Sequence, residues 1–213
     1  GGRSRLTSGL GEDYAVWAPD GNKIAYSSLR DGHWNIVQRD LTHGSTEELL
    51  HVASSFYRGG AVDWSRDGKN LLCVDGSTAA PGPNTGLLVI PMTAEHKPYA
   101  FLQSEFDELE GRISPDGKWV AYKSNENGDF EIYIRRFSGA EKQSIKISTG
   151  GGKLPRWGEN SNELFFVNTS SRQLMLATLR STNAGIEITK IQSLFNLPIF
   201  LEDYDVSHHG DQI

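Results

Sequence analysis

Two stretches decide the reading: WAPDGNKIAYSSLRDGHWNIVQRDL at residues 17–41 and ISPDGKWVAYKSNENGDFEIYIRRFSG at 113–139. Each opens on a turn tetrad ending in Asp-Gly and runs into a short apolar strand, Lys23-Ile24-Ala25-Tyr26 or Trp119-Val120-Ala121-Tyr122. Each then turns at Arg30-Asp31-Gly32 or Asn127-Gly128-Asp129 and returns as Trp34-Asn35-Ile36-Val37 or Phe130-Glu131-Ile132-Tyr133-Ile134. Alternation of period two in branched and aromatic residues, broken by Asp-Gly and Asn-Gly, is the signature of a β-hairpin. A third copy, Trp64-Ser65-Arg66-Asp67-Gly68, lies between them, so Gly21, Gly68 and Gly117 recur at spacings of 47 and 49. Two decayed copies follow, Trp157-Gly158-Glu159-Asn160-Ser161 and Val206-Ser207-His208-His209-Gly210, starting 44 and 49 residues further on.

Weaker strands at Glu47–Val52 and Ser144–Ser148 give each repeat a fourth member. Four short antiparallel strands in about 45 residues is the arithmetic of a propeller blade. The expected fold is all-β: a β-propeller with four complete four-stranded antiparallel blades at about 11–57, 58–106, 107–150 and 151–200. Residues 1–10 and 201–213 read as terminal strands of an incomplete blade, so residues 1–213 form one propeller domain or a fragment of one. No stretch sustains a helical period, and Ser104 to Leu109 has room for one short turn. The recurring Trp17, Trp64 and Trp157 are expected to lie buried between neighbouring blades, and the Asp-Gly pairs to shape turns.

Composition narrows the function. Of 213 residues 37% are apolar and 23% charged, and 23 are glycine, above the usual ~7% and in keeping with many turns. The net charge of −6 argues against nucleic acid as partner, because phosphate binding needs a basic face. No apolar run reaches the ~18 residues of a membrane span, so membrane insertion by this chain is not expected. A single cysteine, Cys73, cannot form an internal disulfide or a cysteine-based zinc cluster.

The turn tetrad, apolar strand and polar hairpin followed by Glu131-Ile132-Tyr133 resemble the repeat of TolB-type propellers. GGRSRLTSG resembles the closing strand of a preceding blade, and YDVSHHG the opening strand of a following one. The resemblance covers nearly the whole chain. It implies one of several contexts: the periplasmic TolB protein, the gating propellers of prolyl-oligopeptidase-like peptidases, or sensor regions of bacterial receptor-type kinases and membrane-tethered regulators. The last blade looks most like the kinase- and regulator-associated group. A bacterial, periplasmic or extracytoplasmic setting follows from the same resemblance.

Candidate chemistry is sparse. No Gly-x-Ser-x-Gly elbow occurs, so the hydrolase half of a peptidase has no counterpart here. His208 and His209 are adjacent and point to opposite faces of a strand, while His33, His43, His51 and His96 are scattered; no metal site or cofactor is expected. Gly150-Gly151-Gly152-Lys153 lacks the following Ser/Thr and helix of a phosphate loop. Glu105, Asp107, Glu108 and Glu110 read as a solvated acidic loop, and Ala79 to Asn84 as a long hairpin insertion of the kind that maps to a binding face.

The residue just ahead of each anchor lies on the innermost strand: Val16, Asp63, Arg112, Arg156 and Asp205. These positions are expected to line a channel of ion pairs and water, with Tyr14, Tyr57 and Arg58 at its mouth. Asp63, Arg112, Arg156, Asp205, Tyr14, Tyr57 and Arg58 are therefore the candidate binding residues, with no catalytic set. The expected function is a non-catalytic protein- or peptide-binding module within a larger protein, the alternative being the gating propeller of a serine peptidase. Uncovered end blades are further expected to promote self-association.

Overall fold

The computed structural model describes residues 7, 11–42, 46–53, 59–76, 85–138, 143–182, 185–198 and 201–206. Expectations for Tyr57, Arg58, His43, the 79–84 loop, His208, His209 and nearly all of 1–10 fall outside the described residues. The chain divides into two compact units, residues 1–105 and 106–213, each built from two four-stranded sheets.

In the first unit, sheet 1 contains β1 (Glu12–Trp17), β2 (Lys23–Arg30), β3 (His33–Asp40) and β4 (Glu47–Val52) in that order. Sheet 2 contains β5 (Gly60–Trp64), β6 (Asn70–Gly76), β7 (Thr85–Pro91) and β8 (Tyr99–Leu102). In the second unit, sheet 3 runs β9 (Glu108–Ile113), β10 (Trp119–Asn127), β11 (Asp129–Arg136) and β12 (Ser144–Lys146). Sheet 4 runs β13 (Lys153–Trp157), β14 (Glu163–Asn168), β15 (Gln173–Thr182) and β16 (Gly185–Asn196). Every sheet is a simple antiparallel meander, with no helix among the described residues. Ser104 to Asp107 accordingly forms no helical turn, and Glu108 and Leu109 already belong to β9.

Turn chemistry sets these boundaries. Asp31 and Gly32 have φ of 51° and 78° between the paired residues Arg30 and His33, the two-residue arrangement whose twist matches that of flanking strands. At the anchors, Gly21, Gly68 and Gly117 close turns onto the carbonyls of Ala18, Ser65 and Ser114 at 2.8–2.9 Å, with φ near 70°. In sheet 2 the Asp67 carboxylate accepts from the Ser65 hydroxyl at 2.7 Å and the Lys69 amide at 3.1 Å. These donors hold the Asp67 carboxyl below its ordinary range. At Asp116 burial pushes the other way, yet the Ser114 hydroxyl and Lys118 prevail and lower it too.

Middle strands bury residues of both parities, as in Asn70–Gly76. Between sheets 1 and 2, Ala25, Ile36 and Leu50 meet Trp64, Leu71, Cys73 and Ile90. Between sheets 3 and 4, Trp119, Ile132, Ile134 and Ile147 meet Leu164, Phe166 and Leu179. Trp64 is 8% exposed in the first of these cores, and Trp157 packs against the second while its indole N–H donates to the Arg112 carbonyl at 2.9 Å. Trp17 departs from the expected pattern at 54% exposed. Each buried anchor indole faces the preceding sheet of its own unit; Trp17 stands on the first sheet of its unit and has no such sheet to meet.

Residues 201–206 form no strand, contrary to expectation. Leu201, Tyr204 and Val206 instead pack on the apolar face of sheet 4 formed by Phe165, Val167 and Leu174.

Candidate functional site: the first strand of each sheet

The first strand of every sheet carries a bulge at the same repeat position. Register slips between Asp13 and Val16 in β1, Ala61 and Asp63 in β5, Leu109 and Arg112 in β9, and Lys153 and Arg156 in β13. Three of the bulges hold a non-glycine residue at positive φ: Tyr14 at 52°, Glu110 at 55° and Leu154 at 54°. A bulge bends the strand and re-aims the side chains around it. The extra residue therefore sets the direction of Val16, Asp63, Arg112 and Arg156, which follow it in each unit.

In the first unit Tyr14 lies across the start of β5 and is 43% exposed. A Cβ on Gly60 would come within 2.7 Å of Tyr14 Cβ and Cγ and 2.6 Å of Ser27 Oγ, so only glycine allows this approach. Asp63 is half-buried on β5, opposite Leu72.

In the second unit the bulges are tied by charge. Glu110 Oε1 meets Lys123 Nζ at 2.7 Å, and Glu110 Oε2 accepts the amide of Leu154, the matching bulge residue of sheet 4. Glu110 and the buried Glu108 are thus strand residues with partners, which corrects the reading of them as a solvated acidic loop. Arg112 Nη1 donates to its neighbouring Gly111 carbonyl at 2.9 Å.

Arg156, only 9% exposed, is held by several partners. Its Nη1 donates to Pro155 O at 2.9 Å, its Nε to Tyr204 O at 3.1 Å, and its Nη2 to Asp203 Oδ1. The guanidinium carbon lies 5.7 Å from the Tyr204 ring centroid, and the Tyr204 hydroxyl donates to Leu154 O at 2.9 Å. Burial drives the Tyr204 phenol well above its ordinary pKa, against the pull of Arg156. A buried arginine demands such partners, because an uncompensated charge in a low-dielectric site is costly.

Of the residues singled out from sequence, the structure brings Arg112 and Arg156 to equivalent places on neighbouring first strands of one unit. Asp205 does not join them: its carboxylate accepts only the Val206 amide among the bonds described, and the partner of Arg156 is Asp203. Sequence reasoning missed Asp203, Tyr204, Glu110 and Lys123. A signal existed for two of them, since Asp203 stands at the bulge position of the fifth repeat, matching Glu110 and Leu154. Among the described residues no group of three or more His, Cys, Asp or Glu gathers as a metal ion would need.

No family model matches the chain. It is 22% identical over 169 residues to the uncharacterized protein Atu1656 of Agrobacterium fabrum strain C58, an overlap that spans 79% of this chain and 40% of that one. A TolB structure from Agrobacterium tumefaciens aligns with a TM-score of 0.65 at 19% identity, covering 85% of this chain and 64% of the other. TolB from Acinetobacter baumannii aligns with a TM-score of 0.62 at 20% identity, covering 86% and 44%. The four sheets are blades of the TolB-type β-propeller fold, and the chain spans less than two thirds of each of these relatives.

Proposed function

We propose that the chain is a non-catalytic binding module of TolB type, acting within a longer, extracytoplasmic bacterial protein and engaging a protein or peptide through its first strands. One observation carries the reading. The anchor turns and bulges recur from sheet to sheet, while the position just after the bulge changes freely: Val16, Asp63, Arg112, Arg156. A constant frame presenting variable side chains is what a recognition surface requires. The net charge of −6 favours a partner with basic groups.

The test is site-directed photo-crosslinking in cells that make the full-length parent protein. A photoreactive residue at Tyr14 or Arg112 should trap a discrete adduct, while one at Lys190, exposed on the outer strand of sheet 4, should trap little. Equal yields at all three positions would remove the first strands from recognition. Labelling of the parent protein by a fluorophosphonate probe would replace this reading with that of a peptidase's gating propeller.

A further inference from the structure

A second feature stands apart from the first strands. A cleft of about 610 Å³ opens between sheets 1 and 2, at the end that carries the anchor turns. Its walls include Ala18, Pro19, Trp64 and Met92, and its polar floor is made by Gln38, Glu48 and His96.

Gln38 is out of place by its parity. In the register of sheet 1 it stands opposite Ala25 and Glu48, and Ala25 is opposite Val16. That is the face which packs Val16 and Ala25 against sheet 2, where an apolar residue is expected. Gln38 is nonetheless 96% buried, its relative exposure being 4%. Its Nε2 donates to Glu48 Oε2 at 2.6 Å. A carboxylate only accepts, so this contact fixes the orientation of the amide and leaves Oε1 as the remaining acceptor. Gln38 Oε1 has no hydrogen-bond partner and no exposure to water. Buried side-chain acceptors are ordinarily satisfied, and one kept unsatisfied beside a cleft needs a reason. The second Glu48 oxygen lies 3.2 Å from His96 Nε2, whose ring is held from the other side by Pro91 O. The Glu48 side chain remains 56% exposed, so lone pairs of its carboxylate still face the cleft.

We propose that this cleft binds a guanidinium group, an arginine side chain presented by a partner protein. The two acceptors at the floor, a carboxylate and an amide carbonyl, call for a planar group with several N–H donors. The apolar walls suit the methylene stem of such a side chain. On binding, the guanidinium takes the Glu48 carboxylate, and Gln38, its Nε2 still bonded to Glu48, offers Oε1 to the next N–H. Lys23 and Arg66 also line the cleft, so selection rests on donor geometry at the floor rather than on the net field.

The probe is Nα-acetyl-L-arginine amide, followed by NMR at the Trp64 indole N–H, which lies in the cleft wall and donates to Gly68 O. A saturable shift is expected. Nα-acetyl-citrulline amide, which lacks the charge, should bind about tenfold more weakly, the loss of one charge-assisted hydrogen bond. Gln38→Met and Glu48→Gln should each weaken the arginine probe by a similar factor, while Glu95→Gln, outside the cleft, leaves it unchanged. Glu48 is half-exposed, so Glu48→Gln keeps the test intact even where Gln38→Met disturbs packing. Equal binding of the citrulline probe, unchanged affinity in Glu48→Gln, or no saturable shift at the indole would each overturn the proposal. None of these outcomes bears on crosslinking at the first strands.

Discussion

The anchor turns of sheet 2 and sheet 4 occupy the same place in the repeat and are held in different ways. In sheet 2, Ser65 to Gly68 closes on itself: Gly68 donates to Ser65 O, the Ser65 hydroxyl to Asp67, and the amides of Lys69 and Asn70 back to Asp67 and Ser65. Every bond lies within six residues. In sheet 4, Gly158 to Ser161 has neither the Asp nor the Gly, and Ser161 takes up φ of 56° in glycine's stead. That Ser161 hydroxyl accepts the Asp116 amide from the anchor turn of sheet 3, at 3.0 Å. The sheet 3 turn keeps the same local bonds as that of sheet 2 and is still tied to its neighbour, the decayed turn supplying the acceptor.

The anchor tryptophans carry the largest expected difference between sheets. Trp64→Ala empties a packed site and should lower unfolding free energy by about 3–5 kcal/mol. Trp17→Ala, on an indole 54% exposed, should cost about 1 kcal/mol or less. Urea denaturation of the two variants decides this, and equal losses would mean that Trp17 is covered in solution. Next comes the tie between the bulges of the second unit. Glu110→Ala leaves the Leu154 amide and the largely buried Lys123 without their acceptor, and should cost about 1–3 kcal/mol in the same assay.

A smaller effect separates the two turns by pH. The folded-state pKa values of Asp67 and Asp116 lie below their unfolded values. The stability they contribute is therefore present above pH ~4 and is lost as pH falls through the lowered folded values. Asp67→Asn should flatten the acid limb of a stability–pH curve, whereas Asn160→Gln, at the matching uncharged position in the turn of sheet 4, should leave its slope alone. The smallest change expected is at Ser161→Gly: glycine relieves the left-handed backbone but removes the acceptor of the Asp116 amide. The two effects should cancel to within about 0.5 kcal/mol by thermal unfolding.

Much of the blade was legible beforehand because its determinants are local. Asp31-Gly32 predicts its hairpin, and the apolar residues at both parities around Ile24 and Ile132 predict strands that bury both faces. Reading the candidate site went less far. The position before the anchors points to Arg112 and Arg156, and by the same rule to Asp205, whereas residues 201–206 form no strand and it is Asp203, two residues earlier, that meets Arg156. Gln38 passed unnoticed among Trp34-Asn35-Ile36-Val37 and its neighbours, since a glutamine after a strand's apolar run reads as solvent-facing.

By itself, then, the sequence determined the strands, the turns and their repetition, for these depend on dihedral preferences and hydrogen bonds spanning a few residues. The tertiary structure alone decided which polar groups meet: Arg156 with Asp203 and Tyr204 across 47 and 48 residues, Glu110 with Leu154 across 44, and Gln38 Oε1 with nothing. Such pairings turn on strand register and on how sheets stack, and a shift of one residue exchanges every partner.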